Sequence, residues 1–153
     1  MADPFTLVLV GCGKAKHEGR MAAKNKYSSN YFTLKREYAE TTGDSWIIVS
    51  AEYGLLHPIE RIDDYDTTVS GMTDEERQKW AEGVSTSFTR VLGMICDKLD
   101  YVQIHLLLGK DYREPVVDAI TSIQLHADVE IIDPFEGTSG IDEQMSVLKE
   151  ATR

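Results

Sequence analysis

Apolar residues along this chain of 153 residues follow two alternating rhythms. Four runs, Phe5 to Val10, Trp46 to Ser50, Tyr101 to Leu108 and Val129 to Ile132, are apolar and β-branched enough to predict strands buried on both faces. Between them the period changes to three and four. A first helix begins near Ser28 or Ser29, carries Tyr31, Leu34 and Tyr38 on one face and stops at Gly43, read as a C′ glycine. A second and longest helix runs from Thr73 to about Lys98. It opens on the capping-box pattern Thr73-Asp74-Glu75-Glu76 and carries Trp80, Val84, Phe88, Val91, Ile95 and Leu99 as one apolar stripe, which makes Trp80 a core residue. A third starts after Asp111, read as its cap, with Pro115 in the first turn and Val116, Ile120 and Ile123 facing inward. A fourth covers Ile141 to Ala151.

Strands alternating with helices predict one α/β domain over residues 1–153, with a mainly parallel central sheet flanked by helices. Ile59 to Met72, rich in Asp, Tyr, Thr and Gly, reads as a long ordered loop. The segment Met1-Ala2-Asp3-Pro4 has no basic leader region, and no apolar run approaches the roughly 20 residues of a membrane span. A cytoplasmic protein is the expectation.

A net charge of −10 repels phosphodiester backbones, so non-specific binding of duplex DNA along a broad face is disfavoured, while one focused basic pocket remains allowed. Only two cysteines are present, Cys12 and Cys96, which is neither a disulfide framework nor a metal-ligand spacing. Asp63, Asp64 and Asp66 lack the glycine and distal glutamate of a calcium loop, so no metal and no cofactor is assigned.

In a parallel sheet the carboxyl ends of the strands gather the loops that bind ligands. Here these are Gly11 to Lys16, Ser50 to Tyr53, Gly109 to Arg113 and Asp133 to Gly137. The first, Gly11-Cys12-Gly13-Lys14-Ala15-Lys16, reads as a turn built for an anion, because glycine lets backbone N–H groups approach a ligand and lysine adds charge. Tyr27-Ser28-Ser29, placed to start a helix, aims N–H groups and the positive dipole end at the same ligand. The pooled loops hold Cys12, Lys14, Lys16, Ser50, Glu52, Tyr53, Lys110, Asp111, Tyr112, Arg113, Asp133 and Glu136. These include cations for phosphate, carboxylates for a sugar or a proton, and aromatic faces for a base.

Each also has a plain structural reading. The two lysines can simply solvate the loop. Cys12 is an activated thiolate or a small thiol packed under the turn. Glu52, after a buried strand, is a base or nucleophile with a raised pKa, or half of a salt bridge to a lysine. His57 reads as a loop residue, His105 as a hydrogen-bonded core histidine and His126 as surface.

The run Ser50-Ala51-Glu52-Tyr53-Gly54-Leu55-Leu56-His57-Pro58-Ile59-Glu60-Arg61-Ile62-Asp63-Asp64-Tyr65-Asp66 resembles the signature of the YaaA-like superfamily. Cys12 to Lys16 and Lys26-Tyr27-Ser28-Ser29-Asn30-Tyr31-Phe32 resemble further elements of its small bacterial, archaeal and phage members. With Gly109-Lys110-Asp111-Tyr112-Arg113 and Gly137 to Leu148, the resemblance covers nearly the whole chain. Distant likenesses reach the lyase-type domain of archaeosine synthase and phage-defence base glycosylases.

The resemblance implies chemistry on a nucleobase or its N-glycosidic bond. Under it, Glu52, Tyr53, Cys12 and Asp111 are the catalytic candidates. Gly11, Gly13, Lys14, Lys16, Tyr27, Ser28, Ser29, Ser50, Gly54, Tyr65, Gly109, Lys110, Tyr112 and Arg113 are the binding candidates for a small nucleotide or nucleobase. The alternative is a non-catalytic nucleotide- or DNA-binding protein of stress or mobile-element biology that uses the same pocket.

Overall fold

The structure, a computed structural model, describes residues 4–123 and 127–153. Met1, Ala2, Asp3 and His126 lie outside the described residues, and with them the readings placed there. Five strands form the central sheet. In chain order these are β1 (Phe5–Gly11), β3 (Ser45–Ser50), β4 (Gly54–Leu56), β6 (Tyr101–Leu107) and β7 (Asp128–Ile132). Their spatial order is β4-β3-β1-β6-β7. β1 pairs in parallel with both β3 and β6, β6 pairs in parallel with β7, and only β4 runs antiparallel, folding back on β3. A second, two-stranded ribbon joins β2 (Met21–Ala22) to β5 (Arg61–Ile62) inside the long loop.

The helices are α1 (Ala23–Lys26), α2 (Asn30–Thr42), α3 (Asp74–Cys96), α4 (Lys110–Thr121) and α5 (Ile141–Ala151). Because a strand's side chains alternate between faces, β1 feeds two cores. Leu7 and Leu9 pack with Val84, Phe88 and Leu92 of α3 and with Val116 and Ile120 of α4. Val8 and Val10 pack with Phe32, Tyr38 and Ala39 of α2 and with Leu148 of α5. Each buried Val, Leu, Ile or Phe among them contributes about 1.5–3 kcal/mol by leaving water. No helix among the described residues is long and apolar enough to cross a membrane.

Two helix ends behave as the sequence predicts. Ser29 Oγ accepts the Phe32 N–H at the start of α2, and Thr73 with Glu76 forms the full capping box of α3. Three details differ. Gly43 is not a left-handed C′ residue: its φ is −85°, and glycine is required because a Cβ there would lie 2.9 Å from the Ala39 and Ser45 carbonyls and from Val8 Cγ2. Asp111 does not cap α4, since Gly109 holds the N-cap position and Asp111 is already inside the first turn. Pro115 consequently falls beyond the first turn, where its missing N–H leaves the Asp111 carbonyl without its usual helical partner.

Candidate functional site

Parallel register aligns the strand ends. Gly11 stands opposite Val49 and Val10 opposite Leu107, so the turns after β1, β3 and β6 leave the sheet at one edge. Beyond Gly11 the chain stays close to β3 through a 3.0 Å bond from Cys12 N–H to the Val49 carbonyl. The turn then lies along the Tyr27 to Ser29 segment. Lys16 and Tyr27 form an antiparallel bridge, Ser28 N–H donates to the Ala15 carbonyl, and a Cβ on Gly13 would sit 3.6 Å from Ser29 Oγ. Neither Gly11 nor Gly13 has a positive φ, and neither lacks room for a methyl group, so backbone strain is not what places glycine at these positions.

Ser50 ends β3 fully buried. Its Oγ accepts the N–H groups of Glu52 and Tyr53, which tightens the turn before Gly54, and its hydroxyl donates to Tyr65 OH at 3.0 Å. Gly54 takes a φ of +72°, the left-handed conformation that lets β4 turn back along β3. Tyr65 reaches the site from the long loop. Its hydroxyl lies 2.6 Å from that of Tyr27, its ring meets Tyr53 edge-on, and Lys16 Nζ sits 4.4 Å above its centre. From the other side Tyr112 of α4 points its hydroxyl at Cys12 Sγ, 3.4 Å away, while its ring meets Trp80 edge-on. Trp80 donates its indole N–H to the Ser50 carbonyl, so it braces the site from the core.

The loop bearing Tyr65 is pinned by charge. Lys26 Nζ, fully buried, meets both Asp64 and the Gly19 carbonyl, Gly19 N–H donates to Asp64, and Arg20 pairs with Asp63. These contacts account for Asp63 and Asp64, two of the three aspartates that superficially suggest a calcium loop.

Burial pushes the phenols of Tyr27, Tyr65 and Tyr112 above the usual tyrosine range, with the Cys12 sulfur adding to the effect in each case. Tyr31 rises to about 12 through burial, opposed by the Arg113 guanidinium. All four therefore stay protonated at neutral pH and act as neutral O–H donors. Cys12, half-buried, has no histidine partner among its hydrogen bonds.

The other expected residues are distributed less evenly. Glu52 is exposed at the rim, where its carboxylate accepts the Thr67 hydroxyl. It is neither a buried carboxylate nor part of a lysine salt bridge. Lys14 is exposed, and Lys16 turns its ammonium to the Lys14 carbonyl as well as to Tyr65. Ser28 is exposed, and Ser29 spends its hydroxyl on the α2 cap. Arg113 donates to the Leu108 carbonyl and pairs with Asp133 at 3.2 Å, which ties α4 to the end of β7. Lys110 and Asp111 line a groove of about 880 Å³ between α3 and α4, and Glu136 is exposed.

Two site residues escape the sequence reading. Thr67 is hidden because a loop threonine has no spacing signal. Lys35 is missed as a charged helix residue, although it lies four residues after Tyr31 and three before Tyr38 and so shares their inward stripe.

Comparison with known proteins adds relatives but no activity. A Bacillus subtilis (strain 168) protein described as "Uncharacterized protein YfjM" is 28% identical over 159 residues, an alignment that covers 95% of this chain and 93% of that protein. No solved structure matches the chain. A model described as "Family of unknown function (DUF6884)" matches residues 7–150, a span that holds every residue of the site, and the chain belongs to that family.

Proposed function

We propose that this protein acts on a nucleotide or a modified nucleobase at the N-glycosidic bond, as a glycosidase or base-transfer enzyme of YaaA-like kind. The observation that carries the reading is the continuous cluster of Cys12, Tyr27, Ser50, Tyr65 and Tyr112 at the strand ends, with the carboxylate of Glu52 at its rim. Protonated phenols, with the ring of Tyr53 exposed beside them, suit a flat ligand whose nitrogens and carbonyls accept hydrogen bonds.

In the proposed reaction the bond between the anomeric carbon and the base nitrogen breaks, and the base leaves with the electron pair. A phenol of the cluster hydrogen-bonds the leaving base, which takes its proton from water. Positive charge develops at the anomeric carbon, where Glu52 stabilises it or traps the sugar covalently until water or another acceptor adds. Tyr53 and Tyr112 are the stacking surfaces, Lys14 and Lys16 the phosphate contacts, and Asp111 a reserve carboxylate. A cytoplasmic location fits this reading, since nucleotide pools lie there.

One observation favours the alternative, a module that binds a nucleotide and does not turn it over. Glu52 is exposed to water and already engaged by Thr67, whereas a carboxylate acting on a sugar works better in a dry site. The deciding experiment incubates the protein with nucleotides and with deazaguanine- or hydroxymethyl-modified nucleosides, and looks for released base by mass spectrometry. Glu52→Gln should keep ligand binding and lower turnover by roughly two or more orders of magnitude. Full turnover in Glu52→Gln makes Glu52 structural. Thermal stabilisation by a nucleotide with no base released by the wild type leaves the binding module.

A further inference from the structure

Two lysines of this fold are buried, and their surroundings are opposite. Lys26 is fully buried against Asp64 and the Gly19 carbonyl, so its charge is matched. Lys35, only 4% exposed, donates to the Gly11 carbonyl at 2.8 Å and lies 4.4 Å from the centre of the Tyr31 ring. It belongs to none of the ion pairs among the described residues. An ammonium has three N–H donors and a full charge, and one carbonyl with the aromatic faces of Tyr31 and, at 5.9 Å, Phe32 does not neutralise it. Burial lowers its pKa to about 8, and the nearby Cys12 sulfur opposes that shift without cancelling it.

A methionine, one atom shorter, would fill most of the same space and carry no unmatched charge. What distinguishes the lysine is where the charge sits. Gly11 is the last residue of β1, so the ammonium lies at the residue that leads into the Cys12-Gly13 turn and against the Tyr31 and Phe32 rings of the first turn of α2. Meanwhile Lys16 is drawn onto the Lys14 carbonyl and the Tyr65 ring, and Lys14 is exposed to solvent.

We propose that Lys35 is the buried cation of an oxyanion subsite at the Gly11 to Gly13 turn, whose missing counter-charge is supplied by a phosphate of the ligand. The inference rests on the nucleotide reading above and narrows the substrate class to phosphorylated nucleosides in preference to free ones. Lys14 and Lys16 then serve as outer contacts, and the buried charge at the turn supplies most of the anion affinity.

The test uses sodium sulfate and inorganic phosphate as probes. Thermal unfolding of the wild type is followed against sulfate, with sodium chloride at matched ionic strength as the reference. A saturable sulfate shift is expected, mirrored by phosphate. Lys35→Met and Lys35→Gln should each weaken it by about tenfold or more, the scale of a lost charged contact, while Lys14→Ala weakens it less. The glutamine variant keeps a donor for the Gly11 carbonyl, so it reports on charge even where the methionine variant folds poorly.

A wild type with no sulfate response beyond chloride overturns the subsite. So does a sulfate response unchanged in both Lys35 variants. The outcome is separable from that of the reaction: a protein that binds sulfate through Lys35 yet releases no base loses only the glycosidic reading, and one that releases base from free nucleosides without a sulfate response loses only the subsite.

Discussion

The hydroxyls of Tyr27 and Tyr65 meet at 2.6 Å although 38 residues separate them in the chain. Ser50 donates to the same Tyr65 oxygen from the end of β3, so one phenol joins the first helical segment, the central sheet and the long loop. Truncation to Tyr65→Phe removes both bonds and leaves the buried Ser50 hydroxyl without its acceptor. We expect a loss of about 1–2 kcal/mol in urea unfolding. An unchanged midpoint would show that the charged contacts of Asp63 and Asp64 hold the loop without the phenol.

Lys35→Met should stabilise the protein at neutral pH. The shift from 10.5 to about 8 means that the folded state gives up the Lys35 proton more readily than the unfolded chain does. Below pH 8 the full penalty applies, and integrating the difference puts it at about 3 kcal/mol before the lost Gly11 hydrogen bond is subtracted. Between pH 8 and 10.5 the unfolded chain binds more protons than the folded one, so the wild type gains stability and the advantage of the variant shrinks. Above about pH 10 the raised tyrosines act in the opposite sense in both proteins, because the unfolded chain then releases phenolic protons that the folded state keeps. Denaturant midpoints of both proteins at pH 7, 8.5 and 9.5 check this; a difference that stays constant with pH excludes Lys35 as its source.

Gly43→Ala tests the claim that space, not backbone conformation, demands glycine after α2. The added methyl group would press on two backbone carbonyls that cannot move aside and on Val8 in the core. A loss of about 1–3 kcal/mol is expected, seen as a lower melting temperature. Gly83→Ala, where a Cβ meets nothing within 4 Å in the middle of α3, should instead be neutral or stabilising.

Duplex DNA should bind weakly. With a net charge of −10 the chain has few cations with which to release condensed counterions. A fluorescence-anisotropy titration at ~0.15 M salt should give a Kd weaker than about 1 μM. Sub-micromolar affinity for unmodified duplex would restore DNA binding as the leading alternative.

Much of the architecture can be read from the chain because its signals are local. Apolar, β-branched runs mark β1, β3, β6 and β7, although β7, at the edge of the sheet, is not buried on both faces as its run predicts, and the Thr73 to Glu76 capping box marks the start of α3 within one residue. The short pieces β2, α1, β4 and β5 leave no such trace, since two to four residues cannot carry a period and their pairing depends on partners elsewhere in the chain.

The site divides in the same way. Alternation of strands and helices already implies that the ends of β1, β3 and β6 gather Cys12, Ser50, Glu52 and Tyr112, because a parallel sheet brings those ends to one edge. Orientation within that edge is a matter of long-range contacts. Asp64 and Lys26 bring Tyr65 over the turn and Thr67 takes the carboxylate of Glu52, each across a separation that no local pattern encodes, while the stripe of Tyr31 and Tyr38 turns Lys35 inward and only its partner, the Gly11 carbonyl, is set by the fold. Local propensity and periodicity are properties of neighbouring residues, whereas the burial of a charge and the partner of a hydroxyl depend on which distant segments the packed cores hold together.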